Sequence, residues 1–107
     1  MRIIARRTLR EFLASRSGHK DIAALRTAIE AWHDEVKRAR WRSTADIKRH
    51  YAAASVISSD RIVFNVKGND YRLVVAVDFE KSIVWFKWIG THRAYDRINA
   101  AEVQHEK

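Results

Sequence analysis

Strand-forming residues dominate the second half of the chain. Three consecutive stretches are rich in β-branched and aromatic residues: Arg61 to Lys67, Tyr71 to Phe79 and Ile83 to Ile89. In the first two stretches the apolar side chains recur at every second position, which is typical of a β-strand because successive side chains point to opposite faces of a sheet. Gly68-Asn69-Asp70 lies between them, and turn residues between two apolar runs indicate a tight hairpin. We therefore predict three consecutive strands.

The first half of the chain carries its apolar residues at helical spacing instead. One stripe recurs at intervals of three or four residues, and it consists of Ile22, Leu25, Ile29, Trp32 and Val36. The opposite side is polar and charged, as in an amphipathic helix that packs its stripe on a core. Leu9, Phe12 and Leu13 predict a shorter helix before it, ended by Ser17-Gly18 because glycine readily takes the left-handed cap conformation. These two segments form a predicted helical hairpin.

The coarse order of elements is β-α-α-β-β-β-α. Ile3 and Ile4 supply a first edge strand, and Arg93 to Asn99 supplies one or two helical turns after Gly90-Thr91-His92 leaves the sheet. A further short helix is predicted over Asp46 to Tyr51, and residues 52–60 are predicted to form a loop. The order predicts an α+β domain with a mainly antiparallel sheet, the helical hairpin on one face and the other face partly open. We expect residues 1–100 to form one domain and residues 101–107 a polar tail.

The net charge and its distribution along the chain narrow the classes of binding partner. The chain has 107 residues, no cysteine and a formal net charge of +8. Residues 1–50 hold 13 lysines and arginines against 6 acidic residues, whereas residues 51–107 hold 8 against 7. A basic half favours polyanions, meaning nucleic acid, an anionic membrane or an acidic protein. No apolar run approaches the roughly 20 residues that span a membrane, and the lack of cysteine suits the cytoplasm, where we expect this protein.

Two segments carry a family resemblance, FNVKGNDYRLVV and WIGTHRAYDRI. In them a hairpin leads to Tyr71-Arg72-Leu73-Val74, and Gly90-Thr91-His92 and then Tyr95-Asp96 follow. This pattern resembles the HigB toxins of bacterial type II toxin–antitoxin modules, which are similar in fold to the RelE-type mRNA interferases. The resemblance implies a RelE-like fold and an endoribonuclease that cuts mRNA, in many members on the translating ribosome. It also implies a neighbouring HigA-like antitoxin with a helix-turn-helix fold.

Arg72 and His92 are the first candidates for RNA cleavage. Arg72 interrupts an apolar strand, and a guanidinium donates two parallel hydrogen bonds to a phosphate. The alternative is a surface arginine paired with Asp70 or Asp96. His92 follows Gly90-Thr91, and histidine titrates near neutrality, so it can act as general acid or base, although a lone loop histidine is more often only solvated. The resemblance places a phosphate-binding arginine on this strand and a basic or acid–base residue at the strand end.

Tyr95 and Lys87 complete the catalytic candidates. Tyr95 can stack on a base or donate a hydrogen bond to phosphate, and Asp96 beside it is interpreted as structural. Lys87 breaks the apolar third strand and is either a cation beside the phosphate or an ordinary lysine of the sheet surface.

RNA-binding candidates fall in three groups. They are Asn65 and Lys67 on the hairpin, Lys48 and Arg49 in the middle of the chain, and the run Lys37, Arg38, Arg40, Trp41 and Arg42. For that run there are two compatible interpretations. It is a phosphate-contacting patch with a stacking aromatic, or it is a helix end whose cations complement the dipole while Trp41 lies in the core.

No pair of histidines has metal-ligand spacing with a third ligand, so we predict no metal and no cofactor. The favoured function is a metal-independent endoribonuclease that acts by 2′-hydroxyl attack. One alternative is a non-catalytic RNA- or ribosome-binding module that blocks translation by occupancy, and another is an interaction domain for an acidic protein.

Overall fold

The computed structural model describes residues 1–4 and 6–103, and for residues 6–8 the backbone alone. The strands are β1 (Arg2–Ile4), β2 (Ser55–Val56), β3 (Arg61–Val66), β4 (Tyr71–Asp78) and β5 (Ile83–Thr91). The helices are α1 (Arg6–Ser15), α2 (Ile22–Arg38), α3 (Thr44–His50) and α4 (His92–Tyr95). The strands form one sheet in the order β1-β5-β4-β3-β2. β1 runs parallel to β5, and the other neighbours are antiparallel.

The main core lies between the sheet and the helices. Four residues of the predicted stripe on α2 are buried there: Leu25, Ile29, Trp32 and Val36. The ring of Trp32 contacts Phe64 and Phe86 edge to face, with centroids 5.4 and 5.3 Å apart. Because the strand period puts every second side chain on this face, the helices cover the apolar side of β3 and β4, as the sequence predicted.

The second face of the sheet carries a smaller core. Val63, Val74 and Trp88 are buried on this face, and partly buried residues from α4 and the chain after it pack over them. A β-bulge in β5 makes this possible. Val74 pairs with Trp88 but Val75 pairs with Phe86, so Lys87 is the extra residue. The face that the sequence predicted to be partly open is therefore covered over this part.

The short helix predicted over Asp46 to Tyr51 is present as α3, whereas β2 was not predicted. α3 begins at Thr44, because the Ser43 side chain accepts a hydrogen bond from the Asp46 amide and so caps the helix. β2 is a two-residue strand that pairs with β3 at the edge, where the sequence predicted a loop. A strand of two exposed residues carries too little hydrophobic pattern to be identified from the sequence.

The boundaries around β5 also differ from the prediction. β5 continues through Gly90 to Thr91, because Thr91 still pairs with Tyr71 on β4. α4 begins at His92 and ends at Tyr95, and the chain then continues in turns in which Arg97 and Ile98 donate to carbonyls three residues earlier. Gly90 and Thr91 therefore belong to the sheet, contrary to the prediction.

The last described residues pack against the sheet. The Arg61 guanidinium donates to the carbonyls of Ala100 and Val103, at 3.3 and 2.9 Å. Val103 also contacts the smaller core. Residues 104–107 of the predicted tail lie outside the described residues. In the part of the chain that is described, no helix is both long and apolar enough to cross a membrane.

Candidate active site

Arg72 lies at the centre of a short row across three strands. Its Cα pairs with Asn65 on β3 and with Gly90 on β5. The guanidinium donates to the carbonyl oxygen of Asn69 at 3.1 Å. None of the ion pairs among the described residues includes Arg72, so the alternative of pairing with Asp70 or Asp96 is not what the structure has. A half-buried cation in this row retains donors for an anionic ligand.

Tyr95 and Trp88 form the aromatic wall of this row. The Arg72 guanidinium lies 5.9 Å from the centre of the Tyr95 ring, within cation–π range. The Tyr95 and Trp88 rings are 6.3 Å apart between centroids. The short helix α4 places Tyr95 here because it folds back over the end of β5. The structure thus places Asn65 and Tyr95, two of the candidates from the sequence, beside Arg72. It adds Trp88, which the sequence analysis missed.

Gly90 is required by the position of the Trp88 ring. A Cβ atom at residue 90 would lie 2.4 Å from Cη2 and 2.6 Å from Cζ2 of that indole. The indole ring therefore lies directly over the glycine, beside Arg72 in the next strand. The glycine preceding Thr91 in the sequence was the only available signal of this close approach.

Gly90→Ala is expected to destabilise the fold by roughly 1–3 kcal/mol, the usual cost of overpacking a filled core. Urea unfolding of the single variant measures the cost. Combining Gly90→Ala with Trp88→Leu removes the clashing ring, so the double variant should lose clearly less stability than the two single losses added together. Strictly additive losses would contradict this packing.

His92 begins α4 directly after the sheet. Its backbone N–H donates to the Asp70 carbonyl at 2.9 Å, and the Thr91 hydroxyl accepts from the Ala94 amide at 3.1 Å, which caps the helix. The His92 Nδ1 atom is 3.9 Å from Oδ2 of Asp96, and both side chains are at least half exposed. The backbone of His92 is thus held firmly, while its ring is accessible to a ligand.

A cavity of about 440 Å³ adjoins His92. Its lining includes Arg16 and Asp21, from the connection between α1 and α2, together with Tyr71 and Arg93. The volume is in the range of small-ligand sites. The sequence analysis did not place Arg16 or Asp21 near the site, because only the packing of the helical hairpin brings them to the end of β4.

A hydrogen bond inside this cavity ties the helical hairpin to the sheet. The hydroxyl of Tyr71, a residue only 1% exposed, donates to Oδ2 of Asp21 at 2.6 Å. The same bond is the main cause that lowers the pKa of Asp21 below its ordinary value, with the charge of Arg16 a smaller cause. Burial, followed by the Asp21 bond, raises the pKa of Tyr71. Asp21 is therefore a fixed carboxylate beside His92.

The remaining hairpin and strand candidates lie around this row. Lys67, at the turn between β3 and β4, is paired with Asp70 at 2.8 Å. Lys87 occupies the bulge of β5, three residues before Gly90 and next to Trp88. Lys87 thus belongs to a strand of the Arg72 row, and Lys67 lies in the turn that joins the other two strands of the row.

The other basic candidates do not lie with Arg72. Lys37, Arg38, Arg40 and Arg42 line a groove with Ser82, at the start of β5, whereas His92 follows its other end. Lys48 donates to the carbonyls of Ala52 and Ala54, both at 2.7 Å, and Arg49 is paired with Asp46. Lys48 thus holds the loop after α3.

The structure corrects the prediction made for Trp41. Its side chain is only 4% exposed, and its ring stacks on Phe64 with centroids 6.0 Å apart. A buried ring has no free face for a base, so the prediction that Trp41 stacks on RNA is wrong. The alternative, a core tryptophan beside exposed cations, is what the structure has.

A comparison with protein families now adds to this geometry. Residues 25–98, more than half of the chain, match the model of the HigB toxin family, described as the RelE-like toxic component of a toxin–antitoxin system. The chain belongs to the HigB toxin family. A search of curated proteins finds no match to it. The resemblance stated from the two sequence segments is therefore confirmed.

Family membership makes the chain a toxin of a toxin–antitoxin system and implies a cognate antitoxin as its partner. The α+β fold with its mixed five-stranded sheet is compatible with the RelE-like description. Among the described residues of the toxin, no three histidine or acidic side chains cluster as a metal site would require. Besides Arg72, the ionisable side chains of this region include Arg16, Asp21, His92 and Arg93, which line the cavity.

Proposed function

We propose that this toxin is a metal-independent endoribonuclease that cleaves mRNA by attack of the 2′-hydroxyl group, on the translating ribosome. One observation carries the proposal. The Arg72 guanidinium lies in the row between Asn65 and Gly90, 5.9 Å from the Tyr95 ring, at the end of the sheet where His92 begins α4. This end of the sheet therefore has a cation for phosphate, an aromatic ring and a group that can transfer protons.

The reaction divides into three tasks that suit these side chains. The 2′-hydroxyl loses a proton and its oxygen forms a bond to the adjacent phosphorus. The bond from phosphorus to the 5′-oxygen breaks, and that oxygen gains a proton. Between these steps the phosphorane gains negative charge, which the bidentate donors of Arg72 offset.

His92 is assigned proton transfer, because its ring is accessible and histidine titrates near neutral pH. Tyr95 is assigned contact with the substrate, either by stacking on a base or by a hydrogen bond to phosphate. Lys87 is assigned a second positive charge near the same strand end, and Asn65 and Lys67 are assigned contacts to the RNA that flanks the cleaved bond.

The partners follow from the same proposal. The substrate is mRNA, and the family resemblance supports cleavage on the ribosome. It also supports a HigA-like antitoxin with a helix-turn-helix fold as the cognate partner. A protein that acts on cytoplasmic ribosomes works in the cytoplasm.

Mapping RNA ends tests the chemistry. Purified toxin is added to a translating extract, and the new ends are identified with Arg72→Ala as the inactive comparison. Attack by the 2′-hydroxyl leaves a 2′,3′-cyclic phosphate or 3′-phosphate and a 5′-hydroxyl. Direct production of 5′-phosphate ends would refute this mechanism.

A second candidate is a non-catalytic module that blocks translation by occupying RNA or the ribosome. It is favoured by the separation between the basic groove beside Ser82 and the Arg72 row. The same experiment separates the two functions. If translation stops while no new RNA ends form, occupancy is the function and the endoribonuclease proposal fails.

A further inference from the structure

A continuous basic groove lies at the start of β5. It consists of two adjoining cavities of about 740 and 590 Å³, which share Lys37 and Ser82 in their linings. Six basic side chains line it, and we call this surface the basic groove: Arg2, Lys37, Arg38, Arg40, Arg42 and Lys81. Only four of these residues belong to the basic run at residues 37–42.

Tertiary structure brings the other two cations to the run. Arg2 reaches the groove because β1 pairs in parallel with β5, with Arg2 opposite Ile83. Lys81 is held in the tight turn between β4 and β5, where its N–H donates to Oδ1 of Asp78 at 2.9 Å. Three separate chain segments thus converge on one surface.

Ion pairs among the described residues do not offset the charge on this surface. All six side chains are exposed, and no acidic residue is among the described residues that line either cavity. None of the described ion pairs involves any of the six. Bringing like charges together disfavours each of them, so such a surface gains most from a bound polyanion.

The basic groove is separate from the candidate active site. Ser82 immediately precedes β5, and His92 immediately follows it. β5 has nine residues, and at roughly 3.3 Å per residue the two sites lie on the order of 30 Å apart. A group bound in the groove therefore does not contact Arg72 or His92.

The lining of the groove indicates which polyanion it takes. Proteins that bind single-stranded RNA stack its bases on exposed aromatic rings. Trp41 and Phe79 line the groove, but Trp41 is buried and Phe79 is partly buried against the main core. Protein interfaces are built around a buried apolar and aromatic centre with few charges, whereas six of the side chains that line this surface are basic and exposed. An RNA double helix can be bound without exposed aromatic rings or an apolar centre. Its bases are stacked on one another, so a protein contacts mainly its sugar–phosphate backbone.

We propose that the basic groove binds the phosphate backbone of double-helical RNA at a site distinct from the candidate active site. Binding here adds affinity for structured RNA and leaves the Arg72 row accessible to a second, single-stranded segment. The proposal concerns binding only, so it stands or falls independently of whether the toxin cleaves RNA.

Two paired variants test the groove. Arg38→Gln with Arg40→Gln removes two charges from the run, and Arg2→Gln with Lys81→Gln removes two charges from the other two chain segments of the groove. Lys20→Gln with Arg26→Gln is the matched control, because both side chains are exposed and neither lines the groove. All six changes are at exposed positions, and a urea unfolding curve for each variant checks the fold.

Binding is measured to a labelled 16-base-pair 2′-O-methyl RNA duplex, which cannot undergo 2′-hydroxyl attack, over a series of salt concentrations. Single-stranded RNA of the same sequence and a poly-glutamate peptide are the comparison ligands. We expect the duplex to bind most tightly, and each groove variant to lower the slope of log affinity against log salt by about two, one for each lost phosphate contact. The control pair should keep the wild-type slope.

Four results would overturn the proposal. An unchanged slope in both groove variants would show that the phosphates bind elsewhere, and an equal loss in the control would show that only net charge matters. Tighter binding of the single strand or of poly-glutamate would assign the surface to that ligand class instead. If only the Arg38 and Arg40 pair lowers the slope, the run binds without the groove, which also contradicts the proposal.

Discussion

Replacing His92 with glutamine is expected to lower the single-turnover rate of RNA cleavage by about 100- to 10,000-fold, the usual worth of a general acid or base. Glutamine keeps a polar group of similar reach but cannot transfer a proton at neutral pH. The backbone of residue 92 should stay in place, because its N–H still donates to the Asp70 carbonyl and Thr91 still caps α4. The loss should therefore appear in the chemical step, with the fold and RNA binding preserved.

The measurement compares affinity and single-turnover rate on the same RNA. His50→Gln is the matched control, since His50 is an exposed histidine on α3. The basic groove variants provide the opposite pattern, with weaker binding and a normal rate at saturation. If His92→Gln cleaves at the wild-type rate, His92 is a structural residue at the strand end, and Lys87 or Tyr95 becomes the leading candidate for proton transfer.

Replacing Arg72 with alanine is expected to reduce cleavage by about 100- to 1000-fold, because one donor group for the transition-state charge is lost. The fold should remain, since Arg72 lies outside both cores and its side chain donates hydrogen bonds to the nearby carbonyls of Asn69 and Tyr71. Arg72→Lys should restore part of the rate at most, because an ammonium cannot donate bidentately to a phosphate.

Single-turnover cleavage and urea unfolding of both Arg72 variants are measured beside Arg26→Ala, which removes an exposed arginine from α2. The expected pattern is wild-type stability throughout and a rate loss confined to residue 72. A fully active Arg72→Ala protein would remove Arg72 from the mechanism. An unfolded one would show that the cation–π contact with Tyr95 is needed for packing, and Arg72→Lys then reports on the chemistry.

Much of this fold could be predicted from local patterns. The alternation in β4 put Leu73, Val75 and Val77 on the helix side and Arg72 on the other, and the helical stripe identified the buried face of α2. Such patterns are local, because the period of side-chain directions depends only on the backbone conformation of the segment. The family could be recognised for the same reason, since its motif residues are read in order along the chain.

The site could be predicted only in part. Arg72 was assigned to the correct face, and its row with Asn65 followed from the hairpin. Trp88 was missed because the bulge at Lys87 shifts the alternation of β5 by one residue. Asp21 and Arg16 were missed because nothing in the sequence tells which end of the sheet a helical connection will reach.

The sequence by itself determined the class of each main segment, the direction of Arg72 and the excess of positive charge in the first half. The tertiary structure alone decided that Trp41 is buried, that Trp88 lies over Gly90, and that the basic run joins Arg2 and Lys81 far from His92. The physical reason is that periodicity states which face of a segment is apolar but not which partner will cover it. Strand order, register and packing between residues distant in the chain decide the partner, and here they separate the cations proposed to bind RNA from the residues proposed to react.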